Sequence, residues 1–218
     1  LFLFTMIATF RRADRVVLHN ISWEQFERLL EDFGDQRAVR IAYDSGTLEL
    51  MTPLPEHEYF KEVIGDAIKD IADELNLDYE SYGSTTWRKR IQMAGIEPDN
   101  CFYIQHEAAV RGRTNLDLRQ GDPPPDLALE IDITHKSLDR FPIYARLEVP
   151  ELWCYDEGTL KIYHLSAGAY AEAERSLALP QVPIRDLPQV IEAHRADGRR
   201  ALRQAVRQWA RDSLGAEA

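Results

Sequence analysis

Cysteine is scarce. Only Cys101 and Cys154 occur in 218 residues, far apart and without the close pairing of metal ligands, so neither a disulfide-stapled scaffold nor a zinc ribbon is expected. Positive charge is also short. Against 37 Asp and Glu there are 26 Lys and Arg, a formal net charge of −11, which excludes a polyanion binder held by bulk charge and confines any nucleic-acid contact to local patches. Apolar runs long enough to span a membrane are missing. Residues 1–8 form a short apolar run with no basic segment before it and no small-residue cleavage site after it, so it reads as a leader, at most a loose strand. Repeats, helix-turn-helix patterns and zinc fingers are missing too. What remains, 44% hydrophobic and 29% charged, is the composition of a globular domain, expected in the cytoplasm.

Ser22 followed by Gln25 has the form of a capping box, and Trp23, Phe26, Leu29, Leu30 and Phe33 recur at helical spacing before Gly34. Alternating runs at 38–43 and 47–51 flank Asp44-Ser45-Gly46 and predict a hairpin. After Pro53 and Pro55, the apolar stripe Phe60, Val63, Ile64, Ala67, Ile68, Ile71 and Leu75 predicts the longest core helix, with Asp66, Lys69 and Asp70 on its solvated side. Strands are expected at 78–82, 84–88, 100–104, 127–134, 151–155 and 160–165, with an inserted loop over 105–125. A helix starts near Asp139 with Pro142 in its first turn and stops before Pro150, and one long amphipathic helix is expected from Pro188 to about Leu214. Strands mixed with a few core helices, with no regular alternation, give a mixed α/β fold.

The chemistry lies in the carboxylates. In the run from Asp126 to Thr134, period two puts Leu127, Leu129, Ile131 and Ile133 on one face and Asp126, Ala128, Glu130 and Asp132 on the other. A half-solvated strand with an acidic outer face is the simplest alternative to a site. A second segment, Pro98-Asp99, opens the run 100–104, and antiparallel pairing of the two runs would set Asp99 beside Glu130. Two hard oxygen donors on neighbouring strands suit Mg²⁺ or Mn²⁺, which bind carboxylates together with waters and phosphate oxygens. Asp126, after a proline at the far end of its strand, reads as a turn or cap residue.

At these residues the chain resembles a known family. Glu97-Pro98-Asp99, Pro125-Asp126-Leu127-Ala128-Leu129-Glu130-Ile131, Pro142-Ile143-Tyr144-Ala145 and Val149-Pro150-Glu151-Leu152-Trp153 look like the restriction-endonuclease-like proteins catalogued as domain of unknown function 820. The similarity covers roughly residues 22–165. It implies a PD-(D/E)xK nuclease core, a mixed sheet flanked by helices, with a divalent metal held by acidic residues on adjacent strands. Asp99 would take the first acidic role and Glu130 the second, while Asp132 stands where such nucleases carry lysine. Relatives with an altered motif draw the basic group from the following helix, which nominates Arg140, or Lys136 in the connecting loop. Lysine can help deprotonate water, whereas arginine stays protonated and can only stabilise phosphate charge. The bland alternatives are a solvated loop residue for Lys136 and an ion pair of Arg140 with Asp139 or Glu151.

Further expectations complete the reading. Glu49 is a candidate third acidic ligand or an exposed strand residue, and His57, at the start of the core helix, is a supporting residue. Arg88, Lys89 and Arg90, beside Trp87, form a dense basic cluster that either tracks a phosphate backbone or is a solvated strand end; the expected substrate is nucleic acid, DNA before RNA. On the C-terminal helix Arg199, Arg203, Arg207 and Arg211 recur beside a stripe of Leu202, Ala205, Val206, Trp209 and Ala210, which either packs on its own domain or anchors a homodimer. The expected organisation is an extension over 1–21, a nuclease-like domain over 22–185 and a helical extension over 186–218. A scaffolding module that keeps the fold without catalysis is the alternative function.

Overall fold

The structure, a computed structural model, describes residues 14–34, 38–131 and 137–216. Along the chain run β1 (Arg15–Leu18), α1 (Trp23–Phe33), β2 (Arg40–Asp44), β3 (Thr47–Met51), α2 (Pro55–Glu74), β4 (Glu80–Ser81), β5 (Trp87–Lys89), β6 (Ala94–Ile96), β7 (Asn100–Tyr103), α3 (Glu107–Val110), β8 (Leu127–Ile131), α4 (Phe141–Leu147), β9 (Glu151–Asp156), β10 (Thr159–Ser166), β11 (Ala169–Ala173), α5 (Leu187–His194) and α6 (Arg199–Ala216). Among the described residues the strands form two sheets, ordered β1-β3-β2-β6-β5 and β11-β10-β9-β8-β7-β4. The second sheet is mixed, since β8 runs parallel to β9 and antiparallel to β7.

Local chemistry explains the elements that position the site. The Ser22 side chain accepts the Gln25 N–H while the Gln25 side chain accepts the Ser22 N–H, so the capping box starts α1. The β2–β3 hairpin forms with Asp44 paired to Thr47, and Gly46 at its turn holds a positive φ of 99° that glycine adopts without strain. Pro55 opens α2 and Pro142 lies in the first turn of α4, where a missing N–H costs nothing.

Burial of β8 on both faces decides between the two readings of its acidic side. Leu127, Leu129 and Ile131 pack with Phe60, Ile64 and Ile68 of α2 in one core, while Ala128 packs with Ile143 and Tyr144 of α4 and Ala42 and Ile96 of the other sheet in a second. Glu130 therefore points into protein, and the half-solvated alternative is overturned: α4 and the five-stranded sheet cover the face that alternation alone would leave wet.

The solvated side assigned to α2 is corrected as well. Asp70 is fully buried because α6 lies along α2, and Arg203 and Arg207 close on its carboxylate with N–H···O distances of 2.8 Å. Leu202, Val206 and Ala210 are buried in the chain's own core with Trp209 packed against it, so of the two readings of the stripe the structure bears out packing on its own domain, and the stripe is covered from within. Nor is the C-terminal helix continuous. A 3-10 turn at Arg195–Asp197 and Gly198, with φ of 89°, divide α5 from α6, and Gly198 lets the chain double back so that both helices pack together. The expected loop over 105–125 carries α3 and a 3-10 turn at Leu118–Gln120. No helix among the described residues is long and apolar enough to cross a membrane.

Candidate active site

Where β7 meets β8 the chain brings Asp99 and Glu130 together. Asn100 is paired with Leu129. One residue earlier, the Asp99 N–H donates to the Leu129 carbonyl at 3.1 Å and its Oδ2 accepts the Ile131 N–H at 2.8 Å. Asp99 thus bonds to both sequence neighbours of Glu130, as the antiparallel reading required. Both carboxylates are fully buried. His57, in the first turn of α2, sets Nε2 3.1 Å from Asp99 Oδ2.

Arg140, the residue that precedes α4, joins the two sheets. One terminal guanidinium nitrogen spans both Glu130 oxygens at 3.0 and 2.9 Å, and the other reaches Glu49 Oε1 on β3 at 3.2 Å. Its expected partners Asp139 and Glu151 are therefore replaced by Glu130 and Glu49. Burial opposes its charge, yet Glu130, Asp99 and Glu49 around it hold its pKa above the ordinary arginine value. This group is a fixed cation and not a base.

Glu49 is not an exposed strand residue. Its Oε1 takes Arg140, and its Oε2 accepts the N–H groups of Ser137 and Leu138 at 2.9 and 3.2 Å, so it anchors the segment leading into α4. Tyr144 was absent from the sequence-based site, although it stands four residues after Arg140 and so on the same helical face. Its hydroxyl donates to Glu130 Oε1, and burial followed by the neighbouring Glu130 charge pushes its pKa well above the usual tyrosine value. Glu97 was also overlooked as a site neighbour. Its carboxylate accepts the Ile41 N–H at 3.2 Å and the Thr86 hydroxyl at 2.6 Å, fixing β2 beside the turn that delivers Asp99.

Other expected residues fall elsewhere. Asp132 and Lys136 lie outside the described residues. Of the turn and cap readings, the structure fits a turn residue for Asp126: its Oδ2 accepts the N–H groups of Ile104 and His106 at 2.8 and 2.9 Å in the segment before α3. The basic cluster lies on β5 and its turn, where Arg88 pairs with Glu27, Lys89 with Glu148 and Arg90 with Glu24, while Trp87 is buried against Cys101.

The donors suit a hard divalent cation. Among the described residues no group of three or more His, Cys, Asp or Glu side chains is arranged to hold a metal, but Mg²⁺ keeps several waters and needs only one or two carboxylates. Asp99 and Glu130 supply two. Both oxygens of Glu49 accept N–H donors, from Arg140 on one side and from Ser137 and Leu138 on the other, as both oxygens of Glu130 accept Arg140.

Residues 23–196 match the Uma2 family, described as "Putative restriction endonuclease". No curated protein matches the chain. Among solved structures it is similar to the crystal structure of a "putative nuclease belonging to DUF820 from Anabaena variabilis ATCC 29413", with 14% identity, 78% of this chain and 90% of that chain covered, and a TM-score of 0.43. The family match takes in the whole cluster from Glu49 to Tyr144, and the chain belongs to the Uma2 family.

Proposed function

We propose that this protein is an endonuclease that hydrolyses phosphodiester bonds of DNA with Mg²⁺ or Mn²⁺ held by Asp99 and Glu130. The observation that carries the reading is the convergence of two fully buried carboxylates from adjacent strands with one buried arginine and a histidine. Buried acids are costly unless something uses or neutralises them, and such concentrations mark functional sites. The family description points the same way. When bound, the ion supplies Lewis-acid polarisation of the phosphate and a lowered pKa for its water.

The chain's own residues divide the remaining work. Asp99, whose Oδ2 accepts the Ile131 N–H beside the His57 imidazole, would help hold the ion. Arg140, permanently charged, opposes the negative charge that builds on the phosphate. Glu49 positions Arg140 and the start of α4. Cutting both strands of a duplex calls for two such sites, so the reading includes a homodimer, formed through a surface other than the stripe of α6; light scattering of the full chain reports the mass.

The test is cleavage of DNA and RNA with Mg²⁺ or Mn²⁺ by the wild type beside Asp99→Ala and Glu130→Ala. Each substitution is expected to reduce cleavage by 10²-fold or more, roughly, as for loss of an electrostatic transition-state contact. Full activity in either folded variant would refute the ligand assignment. Absence of both cleavage and saturable metal binding in the wild type would favour a catalytically silent scaffold.

A further inference from the structure

The site carries its own cation where the ion is to bind. Arg140 is 2% exposed, and one of its nitrogens reaches both oxygens of Glu130, the position from which an ion would chelate that carboxylate. The Tyr144 hydroxyl takes a further share of Oε1. A carboxylate oxygen that already accepts a charged N–H has less electron density and less room for a metal bond, and two positive centres at one carboxylate repel each other. The other anchors of Arg140 do not involve Glu130. Its second terminal nitrogen is tied to Glu49, its backbone carbonyl accepts the Tyr144 N–H at 3.0 Å, and its Nε–H has no hydrogen-bond partner among the described residues. A buried N–H donor without an acceptor is costly and disposed to accept one.

We propose that Arg140 is a built-in countercharge that a divalent ion displaces from Glu130, and that the released guanidinium, still tethered to Glu49 through its other terminal nitrogen, turns its freed terminal N–H groups toward the phosphate of the nucleic acid. The inference rests on the ligand reading of Asp99 and Glu130. It gives the arginine two sequential partners. Before the ion arrives the guanidinium neutralises buried acids that would otherwise repel one another, and afterwards the ion does so and the guanidinium is available to the substrate. Arginine suits both steps because its guanidinium stays protonated when buried, whereas a buried lysine shifts its pKa readily. Ion and arginine thus compete for one carboxylate, and the ion's affinity is lowered by the strength of the contact that it replaces.

The experiment has two arms. Calorimetric titration with Mn²⁺ compares the wild type with Arg140→Gln and Arg140→Lys; both folded variants are expected to bind the ion more tightly, Arg140→Gln by about tenfold, the value of one charge-assisted contact. Equal or weaker affinity in a folded variant overturns the proposal. Because Arg140→Gln leaves buried carboxylates unpaired and can fail to fold, the second arm uses the wild type alone. In protein labelled with ¹⁵N-arginine, the Arg140 guanidinium resonances are expected to move or broaden as Mg²⁺ saturates the site. Saturable Mg²⁺ binding that is abolished by Asp99→Ala, with those resonances unmoved, overturns the exchange while leaving the ligand assignment standing. No Mg²⁺ binding at all overturns both.

Discussion

Replacing Asp70 by Asn tests whether α6 is fastened to α2 by one buried carboxylate. The Asp70 oxygens accept Nε and one terminal nitrogen of Arg203 at 2.8 Å each and Nε of Arg207 at 2.8 Å, and the aspartate is fully buried. Breaking a wholly buried ion pair costs about 3–5 kcal/mol, largely through the charge left behind. Here the residues left behind are half exposed, with Arg203 and Arg207 side chains at 42% and 35%, so water can solvate them and part of the cost is returned. Arg207 also keeps Asp73 at 3.0 Å. The expected loss is therefore about 2–3 kcal/mol, which for a chain of this length lowers Tm by about 5–10 °C. Asp66, one turn earlier on α2, serves as the control: it meets Arg199 at 3.5 Å with both side chains partly exposed, and Asp66→Asn should cost less than about 0.5 kcal/mol. Urea denaturation of the three proteins gives the midpoints, and equal slopes show that the same surface is exposed on unfolding. Asp70→Asn within about 0.5 kcal/mol of the wild type, or equal effects at the two positions, would refute burial as the source of the difference.

Gly95 admits no side chain, since a Cβ there would lie 2.7 and 2.8 Å from the buried Phe26 ring; Gly95→Ala is expected to cost about 1–3 kcal/mol, and a wild-type urea midpoint would show that α1 can give way. Glu151 has its pKa raised by burial against the pull of its Trp153 and backbone hydrogen bonds, so the folded state holds its proton more tightly than the unfolded one. Its stabilising contribution is full below the ordinary carboxylate value of 4.5 and declines as pH rises through the raised value; Glu151→Gln should remove that downward slope from stability measured between acid and neutral pH, and an unchanged slope assigns it to other groups. Both cysteines are buried thiols outside any disulfide, and burial pushes the Cys101 thiol up to about 12, so the native protein should be inert to a disulfide reagent at neutral pH and react with both thiols in denaturant. A fast-reacting thiol in the native state would contradict the packing around Trp87.

The legible parts of this fold are those whose cause is local. A capping box, a hairpin turn, an apolar stripe on α2 and a proline at the start of α4 each act within a few residues, and each predicted its element. So did the carboxylate pair, because strand alternation and one pairing assumption bring Asp99 to Glu130. The remainder depends on what lies across the core. Nothing near Glu130 in sequence reveals that the five-stranded sheet and α4 cover its face, and nothing near Asp70 announces α6, which lies 133 residues away in the bond to Arg203. The short strands β1, β6 and β11 escaped notice because three to five residues carry too little alternation to separate from a loop. Arg195 to Gly198 hid the break before α6, since arginine and alanine there suit a helix and only a single glycine opposes it.

The bonds from Glu49 to Arg140 and to the Ser137 N–H close sequence intervals of 91 and 88 residues. Such a closure is expected to form late, because its loop entropy is offset only once β2–β3, α2 and the β7–β8 pair have supplied local contacts. Interactions that form after the folding barrier leave the folding rate almost unchanged when removed and appear instead in the rate of unfolding. The polar cluster would then act as a latch on the finished molecule, and Glu49→Gln should leave refolding as fast as in the wild type while the native state opens sooner.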